Sequence, residues 1–261
     1  MNSVLPDHEP GLPTCGNALL DIVGRNHPFS RDFEKNKVRM RKHEQIIFGP
    51  GRDKNVYFPI DCLFSLRCTI KSGYTAEFSQ IGKEGIVGIN SLFGDCSAAS
   101  EAIALTSGNA YRIGSSFVEA AFEGSTDFRR AILTYMEGQM RESAQRIICN
   151  KQHSITEQVC RTLLMASDRL GNQTLDLTHD QLAIAIGCRR EAVSISAGKL
   201  QSDGVIRYGY GKITITDRAA LEYRSCECYP VIREVFAKFL AAEESDRFPE
   251  MNAGFGYGRK A

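Results

Sequence analysis

LTHDQLAIAIGCRREAVSISAGKLQSDGVIRY, residues 177–208, reads as two short helices joined at a glycine and followed by a β-hairpin. Thr178 is placed to cap the first helix, and Gln181, three residues on, completes a capping box. Leu182 and Ile186 give that helix one apolar face, and Gly187 supplies the tight turn. The second helix has Val193, Ala197 and Leu200 at the i, i+4, i+7 spacing of a buried stripe. Its opposite face carries Glu191, Ile195 and Lys199, with Arg189 and Arg190 at its N-terminal end. A helix packed on one side and basic at its exposed start has the layout needed to enter a major groove. The candidate contacts to double-stranded DNA are Arg189, Arg190, Glu191, Ser194, Ile195 and Lys199, on a helix over about residues 189–202.

Charge says how such a chain would bind. The whole chain of 261 residues has 32 basic and 31 acidic residues, so it has no global field for a polyanion. Within residues 177–212 five Lys/Arg face three acids, a net charge of only +2. Affinity from phosphate contacts grows with the number of cations delivered, which favours a homodimer over a monomer. The N-terminus lacks the basic and apolar regions of a secretory signal. No apolar run approaches the ~18 residues of a membrane span. With nine cysteines and no signal, a reducing, cytoplasmic setting is expected. Only Cys226 and Cys228 lie close together; they read as packing, as do most of the others. The five histidines are scattered without ligand spacing, so no metal or other cofactor is expected. There is no HExxH, P-loop or GxSxG, and no paired nucleophile and base. An enzyme is not expected.

Residues 38–117 have a different texture, short apolar runs such as NVYFPIDCLFSL separated by turn residues, the pattern of a small antiparallel β domain. Residues 125–150 then switch period. Phe128, Ile132, Tyr135, Met136, Met140, Ala144, Ile147 and Ile148 recur at steps of three and four on a long amphipathic helix capped by Ser125 or Thr126. Either this helix lies on its own β domain, or it forms a seam with a second copy. The interruptions at Gln139 and Ser143 favour the seam. A polar hinge at 150–154 precedes a helix over 155–170. Residues 205–216 alternate as a hairpin, with Gly209 and Gly211 at the bend. Asp217 caps a further helix, and Pro230 opens another. The expected division is a flexible start (1–17), a β domain (18–124), the long helix (125–150), a winged helix–turn–helix (151–245) and a flexible tail (246–261). The fold class is α+β.

This order of parts resembles the Crp/Fnr family of bacterial transcription regulators. The likeness rests on residues 55–66, on IGKEGIVGINSLFG (81–94) and most specifically on LAIAIGCRREAVSISAGKLQSDGVI (182–206). It implies a cyclic-nucleotide-binding-like β-roll, a dimerisation helix and a DNA-binding wing, with RNA polymerase as a partner. The family's base-reading Arg-Glu pair matches Arg190 and Glu191, and Arg189 falls to phosphate. Arg donates two bonds to guanine, and Glu accepts from cytosine. A third family reader, usually Arg, is Ile195 here; an aliphatic side chain cannot read guanine but can meet a thymine methyl.

The front cassette departs from the cyclic-nucleotide-binding relatives. Gly85 and Gly88 are retained, yet Ile89 stands at the ribose-binding Glu position, and no Lys or Arg occurs from Glu84 to Tyr111. Cyclic AMP control is therefore not expected. Nor is an iron–sulfur cluster, since only Cys15 precedes Cys62; His43 is a lone candidate haem ligand. Cys188, at the start of the recognition helix beside Arg189, is a candidate redox switch if helix and guanidinium lower its thiol pKa, with an inert packing role as the competing reading. The alternative function is a ligand- or redox-sensing module acting through protein contacts rather than DNA.

Overall fold

The computed structural model describes residues 15–24, 33–48, 52–92 and 100–240. Cys96 and the expected tail at 246–261 lie outside them, as does nearly all of the expected flexible start.

Two antiparallel sheets form the front of the molecule. One has the order β1-β7-β3, from Lys37–Met40, Gly108–Gly114 and Asn55–Pro59. The other has the order β2-β6-β4-β5, from Gln45–Phe48, Ser100–Ala104, Phe64–Thr69 and Thr75–Ile81. Short apolar strands suit this arrangement because alternate side chains turn inward. Met40, Phe48, Tyr57, Phe64, Ile81 and Val87 meet in their shared core. The first helix, α1 (Ala18–Gly24), is fastened to the roll by the buried Asn17. Its amide donates to the carbonyls of Pro59 and Gly85, both at 2.9 Å.

The sequence reading missed α2 (Ser115–Gly124). Its N-cap, Gly114, makes no side-chain bond, so no local start signal exists. The long helix α3 (Thr126–Gln152) starts where Ser125 accepts from the Phe128 amide, as expected. It ends at His153, and Ser154 at once caps α4 (Ile155–Leu170) through a capping box with Glu157. Two back-to-back caps make the hinge a single tight joint.

The periodic stripe of α3 divides between two faces. Phe128, Ile132 and Tyr135 are buried against the chain's own core. Leu133, Met140 and Ile147, seven apart, are 51%, 73% and 61% exposed, and Ile148 is exposed beside them. The interruptions also have partners: Gln139 donates to the Tyr135 hydroxyl and accepts from Ser79, and Ser143 donates to the Phe78 carbonyl at 3.5 Å. The C-terminal helix α8 (Cys228–Leu240) returns to lie on α3, with Val235 and Phe236 against Gly138.

Between the front sheets and the winged unit runs a buried chain of charges. Arg169 of α4 donates to Glu84 and to Glu142 of α3, both at 2.8 Å. Glu142 is also paired with Arg146, which donates to Glu77 of β5 at 2.6 Å. Glu77 accepts from Ser65 of β4, and Ser65 accepts from Arg67. All of these side chains are under a tenth exposed. Three carboxylates and three guanidiniums thus balance, which is what makes their burial tolerable.

Candidate nucleic-acid interface

The helix–turn–helix forms from purely local signals. Thr178 caps α5 (His179–Ile186) with the Gln181 capping box, and Gly187 ends it with φ +77°. That left-handed conformation is open to glycine without steric cost, and it turns the chain into α6 (Arg190–Ser202). Val193, Ala197 and Leu200 are fully buried, as their spacing predicts. The other face is bare. Arg189, Arg190, Glu191 and Lys199 are exposed, and Ile195 is 75% exposed.

Arg189 occupies the N-cap but makes no side-chain cap bond. The first-turn amides of α6 therefore have no side-chain acceptor, a ready seat for an anion. Arg190 lies 3.5 Å from Asp180 across two exposed side chains. Such a surface pair is worth at most about 1 kcal/mol, so the guanidinium is easily freed for another partner. Ser194 is half-buried, and its hydroxyl is 3.0 Å from His179 Nδ1, so it is partly engaged inside the domain.

The wing is β9 (Ile206–Gly209) and β10 (Lys212–Ile215), extended to three strands by β8 (Thr174–Leu175). Its bend falls at Tyr210–Gly211, with φ +52° and +74°, while Gly209 pairs with Lys212 within the ladder. Two successive positive φ angles are the mark of a type I′ turn. Tyr210 at this tip is fully exposed, flanked by exposed Arg207 and Lys212. Sequence reasoning did not single it out; the Gly-Tyr-Gly bend was the available signal.

His179 stacks on Tyr208 of the wing, ring centroids 4.2 Å apart. Burial, and secondarily Arg190, hold its pKa below the ordinary 6.5. The unfolded chain then binds a proton that the folded domain excludes. Stability is therefore full above about pH 6.5 and is lost as pH falls from there toward the folded value. His179→Gln is expected to flatten the pH dependence of the melting temperature between about pH 5 and 7; an unchanged slope would show that another group governs it.

Comparison with known protein families matches residues 157–224 to the Crp-like helix-turn-helix domain. The chain carries a Crp-like helix–turn–helix domain. The transcriptional regulator SdrP of Thermus thermophilus is 43% identical over 58 residues, 22% of this chain and 29% of that protein. The chain thus matches less than a third of that curated relative's length. Two solved structures share the architecture. TTHB099, a CRP-family transcriptional regulator from Thermus thermophilus, has 19% identity and a TM-score of 0.61, covering 72% of this chain and 96% of that one. FixK2 from Bradyrhizobium japonicum has 18% identity and a TM-score of 0.62, covering 73% and 96%. The Crp-like domain therefore sits on the fold that these regulators share.

In front of this domain, both cassette glycines meet protein. A Cβ at Gly85 would lie 2.2 Å from the Tyr135 hydroxyl of α3, and one at Gly88, where φ is +87°, would lie 2.5 Å from the Phe48 ring. Ile89 opens a 3₁₀ turn and packs on the main core. The cassette's own acid, Glu84, is turned to Arg169 of the winged unit. His43 is exposed in a turn, with φ +70°.

Of the two readings of Cys188, the packing one fits its place against the main core. Burial pushes its thiol up, the reverse of the lowering that the redox candidate requires. Cys226 and Cys228 are packed, as read, in a small buried cluster with Cys149, and His153, one of the histidines read as scattered, lies beside them. Cys226 and Cys228 thus come together with the buried Cys149 and the half-buried His153 in one group. Among the described residues, no helix is long and apolar enough to cross a membrane.

Proposed function

We propose that this chain is a homodimeric, sequence-specific DNA-binding transcription regulator that acts in the cytoplasm without cyclic AMP. The observation that carries this reading is the bare face of α6, where Arg190, Glu191, Ile195 and Lys199 stand clear of the domain that supports them. Arg190 and Glu191 read base edges, Ile195 contacts a thymine methyl, and Arg189 with the uncapped first turn holds phosphate. Lys199 and the wing's Arg207 and Lys212 extend the track along the backbone. The exposed seam of α3 pairs two copies, so that two α6 helices meet successive major grooves about 34 Å apart. Independence from cyclic AMP is supported by Ile89 and by the lack of any Lys or Arg from Glu84 to Tyr111. The front sheets are left to contact RNA polymerase.

Selection from random duplex DNA, with reduced protein and no added small molecule, tests the reading. A palindrome with half-sites about one helical turn apart is expected, with thymine enriched opposite Ile195. Arg190→Ala should cost about 1–3 kcal/mol on that site and relax the preference for guanine. A folded dimer that enriches nothing would favour a module acting through protein contacts.

A further inference from the structure

The last turn of α3, its C-cap and the start of α8 bring four soft donors together. Cys149 and His153 are four apart on one side of the helix end, and Cys226 and Cys228 flank the start of α8. Their ligand atoms all lie within 4.8 Å of one another. The Cys149 and Cys226 sulfurs are 3.5 Å apart, as are the Cys228 sulfur and His153 Nδ1. A tetrahedral zinc, with bonds of about 2.3 Å to sulfur and 2.0–2.1 Å to nitrogen, sets its sulfurs ~3.8 Å apart and sulfur and nitrogen ~3.6 Å apart. The group thus has the dimensions of one ion's coordination sphere. We propose that Cys149, His153, Cys226 and Cys228 bind a single structural zinc ion that clips both ends of the winged unit to the long helix.

The surroundings fit an ion as well as the donors do. The three cysteines are buried and form a small cluster apart from the two main cores. Gln145 donates to the Cys228 sulfur at 3.1 Å, a bond that steadies a thiolate. The Glu227 carboxylate lies 4.0 Å from His153 Nε2, the far side of the imidazole from Cys228. At that distance it makes no hydrogen bond, but a small rotamer change would let it accept from the Nε2–H of a ligating histidine.

Arg161 provides an independent pointer. It is 2% exposed, and its Nε and Nη2 have no hydrogen-bond partner. Its charge acts directly on Cys149 and Cys226. A dication bound by three thiolates carries a net negative charge, and the guanidinium offsets it. Glu142 also acts on the guanidinium, and an anionic zinc–thiolate centre would add to that compensation. Three thiolates and an imidazole select a soft, tetrahedral ion, and four protein donors leave no open position for a reaction. On binding, the thiols yield their protons to solvent as Zn–S bonds form.

The position gives the ion its consequence. His153 is the joint between α3 and α4, and Cys226 and Cys228 follow α7 (Arg218–Tyr223) at the far end of the winged unit. One ion therefore closes the segment that holds the whole Crp-like domain, and clips across long loops constrain the unfolded chain most.

Metal analysis of the full-length reduced protein, after desalting, is the test. About one zinc per chain is expected, falling below about a tenth in Cys226→Ser/Cys228→Ser and in His153→Gln. Cys68→Ser, at an exposed cysteine away from the group, should keep the metal. Folding of each variant is checked by circular dichroism. A second measurement avoids the variants: unmutated protein stripped by a chelator and given Co²⁺ should develop the intense visible bands of tetrahedral cobalt thiolate. Neither readout depends on DNA binding, so failure here leaves the proposed regulator untouched. Folded, reduced protein that holds no stoichiometric zinc and shows no such cobalt spectrum overturns the proposal.

Discussion

Arg169→Met is expected to lower the free energy of unfolding by about 3–5 kcal/mol. The guanidinium donates to Glu84 and Glu142 at once and lies over the Phe236 ring at 5.4 Å. Methionine fills similar space but leaves two carboxylates, each 1% exposed, without their shared cation. An uncompensated buried charge is far costlier than a missing ion pair. Replacing all three partners with apolar residues of similar volume should recover most of the loss, because burying the pair was itself expensive. Urea titrations of the parent, the single variant and the triple variant measure this. A single variant within about 1 kcal/mol of the parent would mean that water reaches these carboxylates.

The second large effect concerns the free face of α3. Leu133, Met140 and Ile147 repeat every seven residues and leave the chain's own core, the spacing of a two-helix seam. Met140→Asp with Ile147→Asp places two charges in that seam. The expected result is a folded monomer by sedimentation, with affinity for a palindromic site reduced about 10²- to 10⁴-fold through loss of the second contact. Binding to an isolated half-site should be unchanged, since α6 is untouched. A double variant that still sediments as a dimer would move the two-fold axis to another surface.

Legibility differed with the range of the interactions. The helix–turn–helix was readable residue by residue because Thr178, Gln181, Gly187 and the Val193–Ala197–Leu200 stripe act within a few positions of one another. Helix α2 was not, because Gly114 offers no cap bond. The two-residue strand β8 exists only through its pairing with β10. Glu142 and Arg146 look like surface charges on an amphipathic helix; only the arrival of Glu77, Glu84 and Arg169 makes them interior. The same holds for the cysteine and histidine group. Cys149 and His153 on one helix face were a local signal, but their partners lie more than seventy positions away. The long helix showed its period but not its division, since one apolar stripe served both the core and an exposed seam.

The charge chain also bears on how fast this molecule can change shape. Arg169 grips the front loop and the long helix with the same guanidinium, so a swing of the winged unit cannot proceed by small degrees. Part-way along, the cation would have left one carboxylate before reaching water or a new partner. Such a joint resists partial opening, because both contacts must be given up together. Any rearrangement then belongs to the microsecond-to-second range of barrier crossing rather than to nanosecond wobble.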